Sequence, residues 1–187
     1  QVECRFDRAA GSRRFYASAM TLLRKEQSEG TSYLELAQFI RHHGDGAHVD
    51  TDLVQLFRRV AFNVAVGNRD DHLRNHGFVL GASGWRLAPA FDVNPNIDKA
   101  EHVLNLDDSD NRPSLATVLS TAEFYGLSAE EAASIVEHVA DVVDHWQAVA
   151  ARLSISRADV LLTGAAFGAH AEYRAADASV AQPPHRP

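Results

Sequence analysis

Leu53, Leu56, Phe57, Val60, Ala61 and Val64 recur at the three- and four-residue spacing of one helix face. Asp50 or Thr51 supplies a start signal and Gly67 a stop. The residues that follow, Asn68 to Asn75, hold a single apolar side chain, Leu73. A core helix running straight into so polar a stretch must bring that stretch to the surface or satisfy it inside. Behind it lies a hairpin pattern: Gly77 to Leu80, a Gly81-Ala82-Ser83-Gly84 turn, and Trp85 to Ala88, closed by Pro89. The polar stretch is therefore held between two ordered elements.

The rest of the chain reads as helix. Val2, Cys4 and Phe6 alternate with polar residues in an extended entry. Ser12 is placed to cap a helix carrying Phe15, Ala19, Leu22 and Leu23, interrupted at Ser28 to Gly30. A second helix is expected from about Ser32, with Tyr33, Leu36, Ala37, Phe39 and Ile40 on its face, before the Gly44-Asp45-Gly46 loop. Further on, 115–125 reads as a helix stopped by Gly126. Ser128-Ala129-Glu130-Glu131 is a capping box opening a long helix to about Leu153. Ser156 caps a last helix to about Ala166, and 171–187 is polar, proline-bearing and expected to be disordered. The expectation is a mainly α fold with one small β-hairpin and no internal repeat.

Composition narrows the function classes. The net charge of −7 argues against a broad electrostatic grip on nucleic acid. Arg13, Arg14, Arg24 and Lys25 read as a solvated face. One cysteine, Cys4, excludes an internal disulfide, and no apolar run reaches the roughly 20 residues of a membrane span. The default expectation is a cytoplasmic protein with no membrane partner. With Gln1 at its start and Met20 its only methionine, the chain is expected to be part of a longer protein.

Chemistry concentrates in Gly67-Asn68-Arg69-Asp70-Asp71-His72-Leu73-Arg74-Asn75. Arg69-Asp70, four residues, then Asn75 repeats the R-D-x-x-x-x-N spacing of a protein-kinase catalytic loop. In that loop the Asp accepts the substrate hydroxyl proton and the Asn holds magnesium. On this spacing Asp70, not Asp71, is the expected base. Asp92 follows the second hairpin strand, and the return of the hairpin is expected to carry it beside Asn75. One carboxylate and one amide oxygen suit a hard cation such as Mg²⁺. Trp85 and Phe91 read as core, and His42, His43 and His48 show no ligand spacing.

Over Phe62 to Pro95 the sequence resembles the C-terminal part of the HipA-like serine/threonine kinases. Asn68, Asp70, His72, Arg74 and Asn75 match that family's N-x-D-x-H-x-[KR]-N, and Trp85, Leu87, Pro89, Phe91 and Asp92 match the motif after its hairpin. Arg5-Phe6-Asp7-Arg8 is similar to the family's R-F-D-R beyond the interlobe hinge. The resemblance implies a kinase-like C-terminal helical lobe over 11–170 behind a hinge segment at 1–10. It implies that Asp70 is the catalytic base, with Arg74 stabilising the transferred charge, His72 near the ATP phosphates, and Asn75 and Asp92 as magnesium ligands. The reaction implied is Mg²⁺-dependent phosphoryl transfer from ATP to a Ser or Thr hydroxyl of a protein substrate. A helix-turn-helix antitoxin is an implied partner, as is an N-terminal lobe, on the same or another chain, without which the activity is expected to be poor.

Two other classes compete. Asp70-Asp71-His72 within a chain of ten histidines fits a metal-dependent phosphohydrolase, which would need further histidines at ligand geometry. A kinase-like lobe that only sequesters a partner is the non-catalytic alternative.

Overall fold

The computed structural model describes residues 8, 9 and 12–180. The Arg5-Phe6-Asp7 part of the hinge motif lies outside them, as do 181–187. The described part is mainly α with a small antiparallel sheet. Arg8–Ala9 (β1) and Ser12–Arg13 (β2) form a short ladder, Arg8 opposite Arg13.

The second sheet corrects the expected hairpin: it has three strands. Tyr16–Ser18 (β3) runs antiparallel to Gly77–Leu80 (β4), which pairs on its other edge with Trp85–Leu87 (β5). In register, Ala17 faces Phe78 and Phe78 faces Leu87. The helix expected from Ser12 is replaced by β3, because pairing with β4 satisfies an otherwise open strand edge. Ser18 takes the capping role instead. Its hydroxyl accepts from the Thr21 N–H at 3.4 Å and opens Ala19–Leu22 (α1). Phe15, expected on the core face, is 64% exposed.

Tyr33–His43 (α2) and Val49–Ala65 (α3) follow as the apolar spacing required. The first N–H of α2 is taken by the Asn105 carbonyl at 3.0 Å, so tertiary structure stands in for a side-chain cap. α3 is the central element: Leu53, Leu56, Phe57, Val60, Ala61 and Val64 are all buried. Leu115–Ser120 (α4) packs on it, as does the Ala122–Tyr125 3₁₀ turn, with Phe57 and Tyr125 meeting edge-on at 5.2 Å. Ala129–Asp144 (α5), opened by the Ser128–Glu131 capping box, lays Val136, Val139 and Val143 in the same core.

The long helix expected to reach Leu153 breaks at His145, and Trp146–Arg152 (α6) continues in a new direction. Trp146 stacks flat on Phe167 at 4.3 Å, which fixes the turn. Arg157–Gly164 (α7) is capped by Ser156, as expected, and runs through a 3₁₀ turn into Gly168–Val180 (α8). α8 occupies part of the segment expected to be disordered. Arg174 reaches Glu137, Asp141 and Asp144 of α5, while His170 bonds Asp144 at 2.8 Å. Those partners lie some thirty residues away in sequence, so composition could not announce them.

Gly67 ends α3 in the left-handed region, at φ +66°, and a Cβ there would stand 2.2 Å from the Ala166 carbonyl oxygen. Gly67→Ala is therefore expected to cost at least about 2 kcal/mol in urea unfolding. Gly46, with nothing near its would-be Cβ, should tolerate Ala within about 0.5 kcal/mol. Equal effects at the two positions would contradict this account of the turn.

Candidate active site

The polar segment leaves α3 through Gly67 and turns at once. Asn68 N–H donates to the Asn63 carbonyl at 2.8 Å, and its side-chain amide donates to Asn63 Oδ1 at 3.1 Å. The Asn63 amide in turn donates to Asp71 Oδ2 at 2.7 Å. The Tyr33 hydroxyl donates to the same oxygen at 2.6 Å, and His76 Nε2 lies against it at 2.7 Å. Asp71 is 3% exposed and His76 fully buried. One oxygen thus collects α2, α3 and the residue before β4.

The electrostatics agree with that reading. Burial by itself raises the Asp71 pKa, but His76, the Tyr33 hydroxyl and nearby Arg59 outweigh it, and the carboxyl lies below its ordinary value. Tyr33 is pushed well above its usual range, first by burial and then by Asp71. Asp71 is a structural anion, bonded to three side chains inside the fold.

Asp70, the residue before it, is exposed and ion-paired with Lys99. It lines a cleft of about 300 Å³ together with His72, Arg74 and Lys99, faced by Glu26 to Glu29 and Val103. Three of the five expected site residues, Asp70, His72 and Arg74, therefore meet in one cleft. Nδ1 of His72 is buried without a hydrogen-bond partner. Arg69 stays behind the loop, donating to the carbonyls of Lys99 at 2.8 Å and Asn96 at 3.4 Å.

Asn75 stands two residues before β4 and Asp92 five residues after β5. Asn75 is buried, and its N–H closes a turn onto the His72 carbonyl at 2.8 Å. The Ala88 N–H bonds the Gly77 carbonyl at 2.9 Å, which ties the residue after β5 to the foot of β4. Asp92 is exposed and has φ +55°, a conformation uncommon outside glycine. Its carboxylate accepts from the Asn94 amide at 3.0 Å, and no hydrogen bond joins it to Asn75. Among the described residues no group of three or more His, Cys, Asp and Glu side chains could hold a metal ion.

Sequence reasoning missed Lys99 and the donors around Asp71. Tyr33 reads only as part of a helix face, and nothing in the spacing of Tyr33 or His76 marks them as partners of Asp71. Missed as well was Asp52, buried in the first turn of α3, which accepts two bonds from Arg86 and one from the Leu87 N–H. That clasp fixes β5, and so the approach to Asp92, on α3.

Two stability tests follow. Asp71→Ala should cost about 3–5 kcal/mol, since it strands buried donors, whereas Asp70→Ala should stay within about 1 kcal/mol. Reversal of that order in chemical unfolding would contradict the division of labour. The second concerns His102, 2% exposed and held down to about 4, chiefly by burial, with Arg69 adding to the effect and Asp71 opposing it. Its folded pKa lies below the unfolded value, so the unfolded chain binds the extra proton first. Stability is then full above about pH 6.5 and falls as pH drops towards 4, by on the order of 3 kcal/mol. His102→Phe should flatten that acid limb; an unchanged limb would contradict the assignment.

Residues 2–146 match the family model of the HipA-like C-terminal domain. No curated protein matches the chain in sequence. Among solved structures, a chain of the Shewanella oneidensis MR-1 toxin–antitoxin complex of HipA, HipB and operator DNA superposes with a TM-score of 0.67 at 16% identity. That match covers 89% of this chain and 46% of the other, so this chain spans about half the length of the protein it resembles. No helix among the described residues is long and apolar enough to cross a membrane. The family model takes in the buried Asp71 network, the Asp70 cleft and the hairpin that leads to Asp92, and this chain belongs to the HipA-like C-terminal domain family.

Proposed function

We propose that this chain is the catalytic lobe of an ATP- and Mg²⁺-dependent protein serine/threonine kinase. The observation that carries the reading is the contrast between two adjacent acids. Asp71 is buried and bonded to three side chains, while Asp70 lines a cleft with His72 and Arg74. A base that must accept a hydroxyl proton has to be reachable, and the loop spends one carboxylate on rigidity to present the other.

Asp70 takes the proton of the accepting hydroxyl, and Arg74 offsets charge on the transferring group. His72 faces the same space and orients phosphate oxygens there. Asn75 and Asp92 supply oxygen donors at the end of the hairpin, of the kind a hard cation takes. They fit magnesium: the Asp92 carboxylate is exposed, has no cationic partner among the described residues, and is held in a strained backbone conformation of the sort that collects at functional positions. Mg²⁺ held there would neutralise phosphate charge. The partner set of the full protein would include a protein bearing a Ser or Thr hydroxyl and a helix-turn-helix antitoxin, the Shewanella relative having been solved with HipB. The acidic balance of this chain favours contact with such a partner over direct contact with DNA. A cytoplasmic setting suits this chemistry, which draws on ATP.

Calorimetric titration of this chain with Mg²⁺, with and without ADP, tests the reading. Metal binding should strengthen at least about tenfold with ADP and disappear in Asp92→Ala. Tight binding indifferent to nucleotide, or binding that survives Asp92→Ala, would contradict it.

A further inference from the structure

We propose that Lys99 is a working residue of the Asp70 cleft, the cation that holds the base in place at rest and meets the transferring phosphoryl group during reaction. The inference rests on the kinase reading and deepens it.

The placement of Lys99 is built into the backbone. Asn96 N–H donates to the Gly67 carbonyl at 2.8 Å, and Val103 N–H to the Arg69 carbonyl at 3.2 Å. The segment from 96 to 103 is thereby clamped, at both ends, to the residues just before Asp70. Between the clamps, Asn96 Oδ1 accepts from the N–H groups of Asp98 at 3.0 Å and Lys99 at 2.9 Å. Arg69 bonds the Lys99 carbonyl at 2.8 Å. None of these bonds uses the lysine side chain, so the loop that presents it is ordered without it.

The side chain then does one thing: it reaches Asp70 Oδ1. Both groups are about half exposed, and an ion pair of that kind contributes little to stability. Its geometry is more informative. Asp70 Oδ2 has no partner among the described residues, so one carboxylate oxygen is fixed by Lys99 and the other is left to accept a proton. A hydroxyl bonded to Oδ2 brings the phosphorus it attacks close to the same carboxylate, and an ammonium beside Oδ1 then lies within reach of the phosphoryl oxygens. Preplaced cations at such a point stabilise the charge that develops there.

In the step itself Asp70 Oδ2 takes the proton as the acceptor oxygen bonds to the γ-phosphorus. The bond from phosphorus to the ADP oxygen breaks, with its electron pair leaving on ADP. Lys99 keeps its proton throughout and moves a donor N–H from Asp70 to a phosphoryl oxygen. Arg74 shares the cleft but is not bonded to Asp70, which is why Lys99 is assigned the double role.

The test is made on the protein as its gene encodes it, by following ADP release from Mg-ATP with water as the accepting hydroxyl, so that no protein substrate need be known. Lys99→Met should lower kcat about 100-fold while the KM for ATP stays within about threefold, and Lys99→Arg should recover most of the loss. Unfolding midpoints should match the parent, because Lys99 is half exposed. If Lys99→Met keeps its kcat while Asp70→Asn loses it, the proposal is overturned and the kinase reading stands. If the parent protein releases no ADP, or if Asp70→Asn keeps full turnover, the kinase reading fails and the proposal falls with it.

Discussion

A carboxylate taken out of water must be surrounded by donors or it unfolds what surrounds it. At Asp71 the donors come from Tyr33 on α2, Asn63 on α3 and His76 before β4, all directed at a single oxygen. These elements also touch through apolar side chains, but apolar contacts are non-directional and leave the loop between them several acceptable shapes. The buried anion selects one. With Asp71 turned inward, and Gly67 in a left-handed conformation where a Cβ would strike the Ala166 carbonyl, the acid before it is exposed.

The rest of the candidate site is arranged around this fixed loop by backbone bonds. β3 and β5 flank β4, which begins just after His76, and the Asp52 clasp on Arg86 and Leu87 ties the hairpin back to α3. The segment bearing Lys99 is clamped to Gly67 and Arg69. A site assembled on rigid elements holds its geometry more closely than one assembled on free loops. Among the five expected site residues, Asp92 alone has a positive φ.

Much of this was legible in the sequence, and the parts that were not share a cause. α2, α3, the hairpin and the Ser128 capping box depend on periodicity and local caps, and each formed close to where those signals stand. The three-strand sheet was missed because β3 owes its existence to β4, about sixty residues on, and a local reading saw only a serine placed to start a helix. α8 was missed because its hold on α5 runs through Arg174 and His170 to acids far back in the chain. In the site, the spacing from Asp70 to Asn75 could be read because it lies within one loop. Lys99 and Tyr33 could not, since their relation to Asp70 and Asp71 exists only once the chain has folded.

The claim at the centre is that the hairpin end and the Asp70 cleft form one site across which a nucleotide lies. A crystal structure of the chain grown with Mg²⁺ and a non-hydrolysable ATP analogue tests it most directly. The account predicts a magnesium ion about 2.1 Å from an Asn75 oxygen and an Asp92 oxygen, with the terminal phosphate directed at Asp70 and Lys99. Nucleotide or metal bound elsewhere, for instance in the larger cleft of α3 and α5 around Arg59, Phe62 and Val139, with Asn75 and Asp92 untouched, would contradict it.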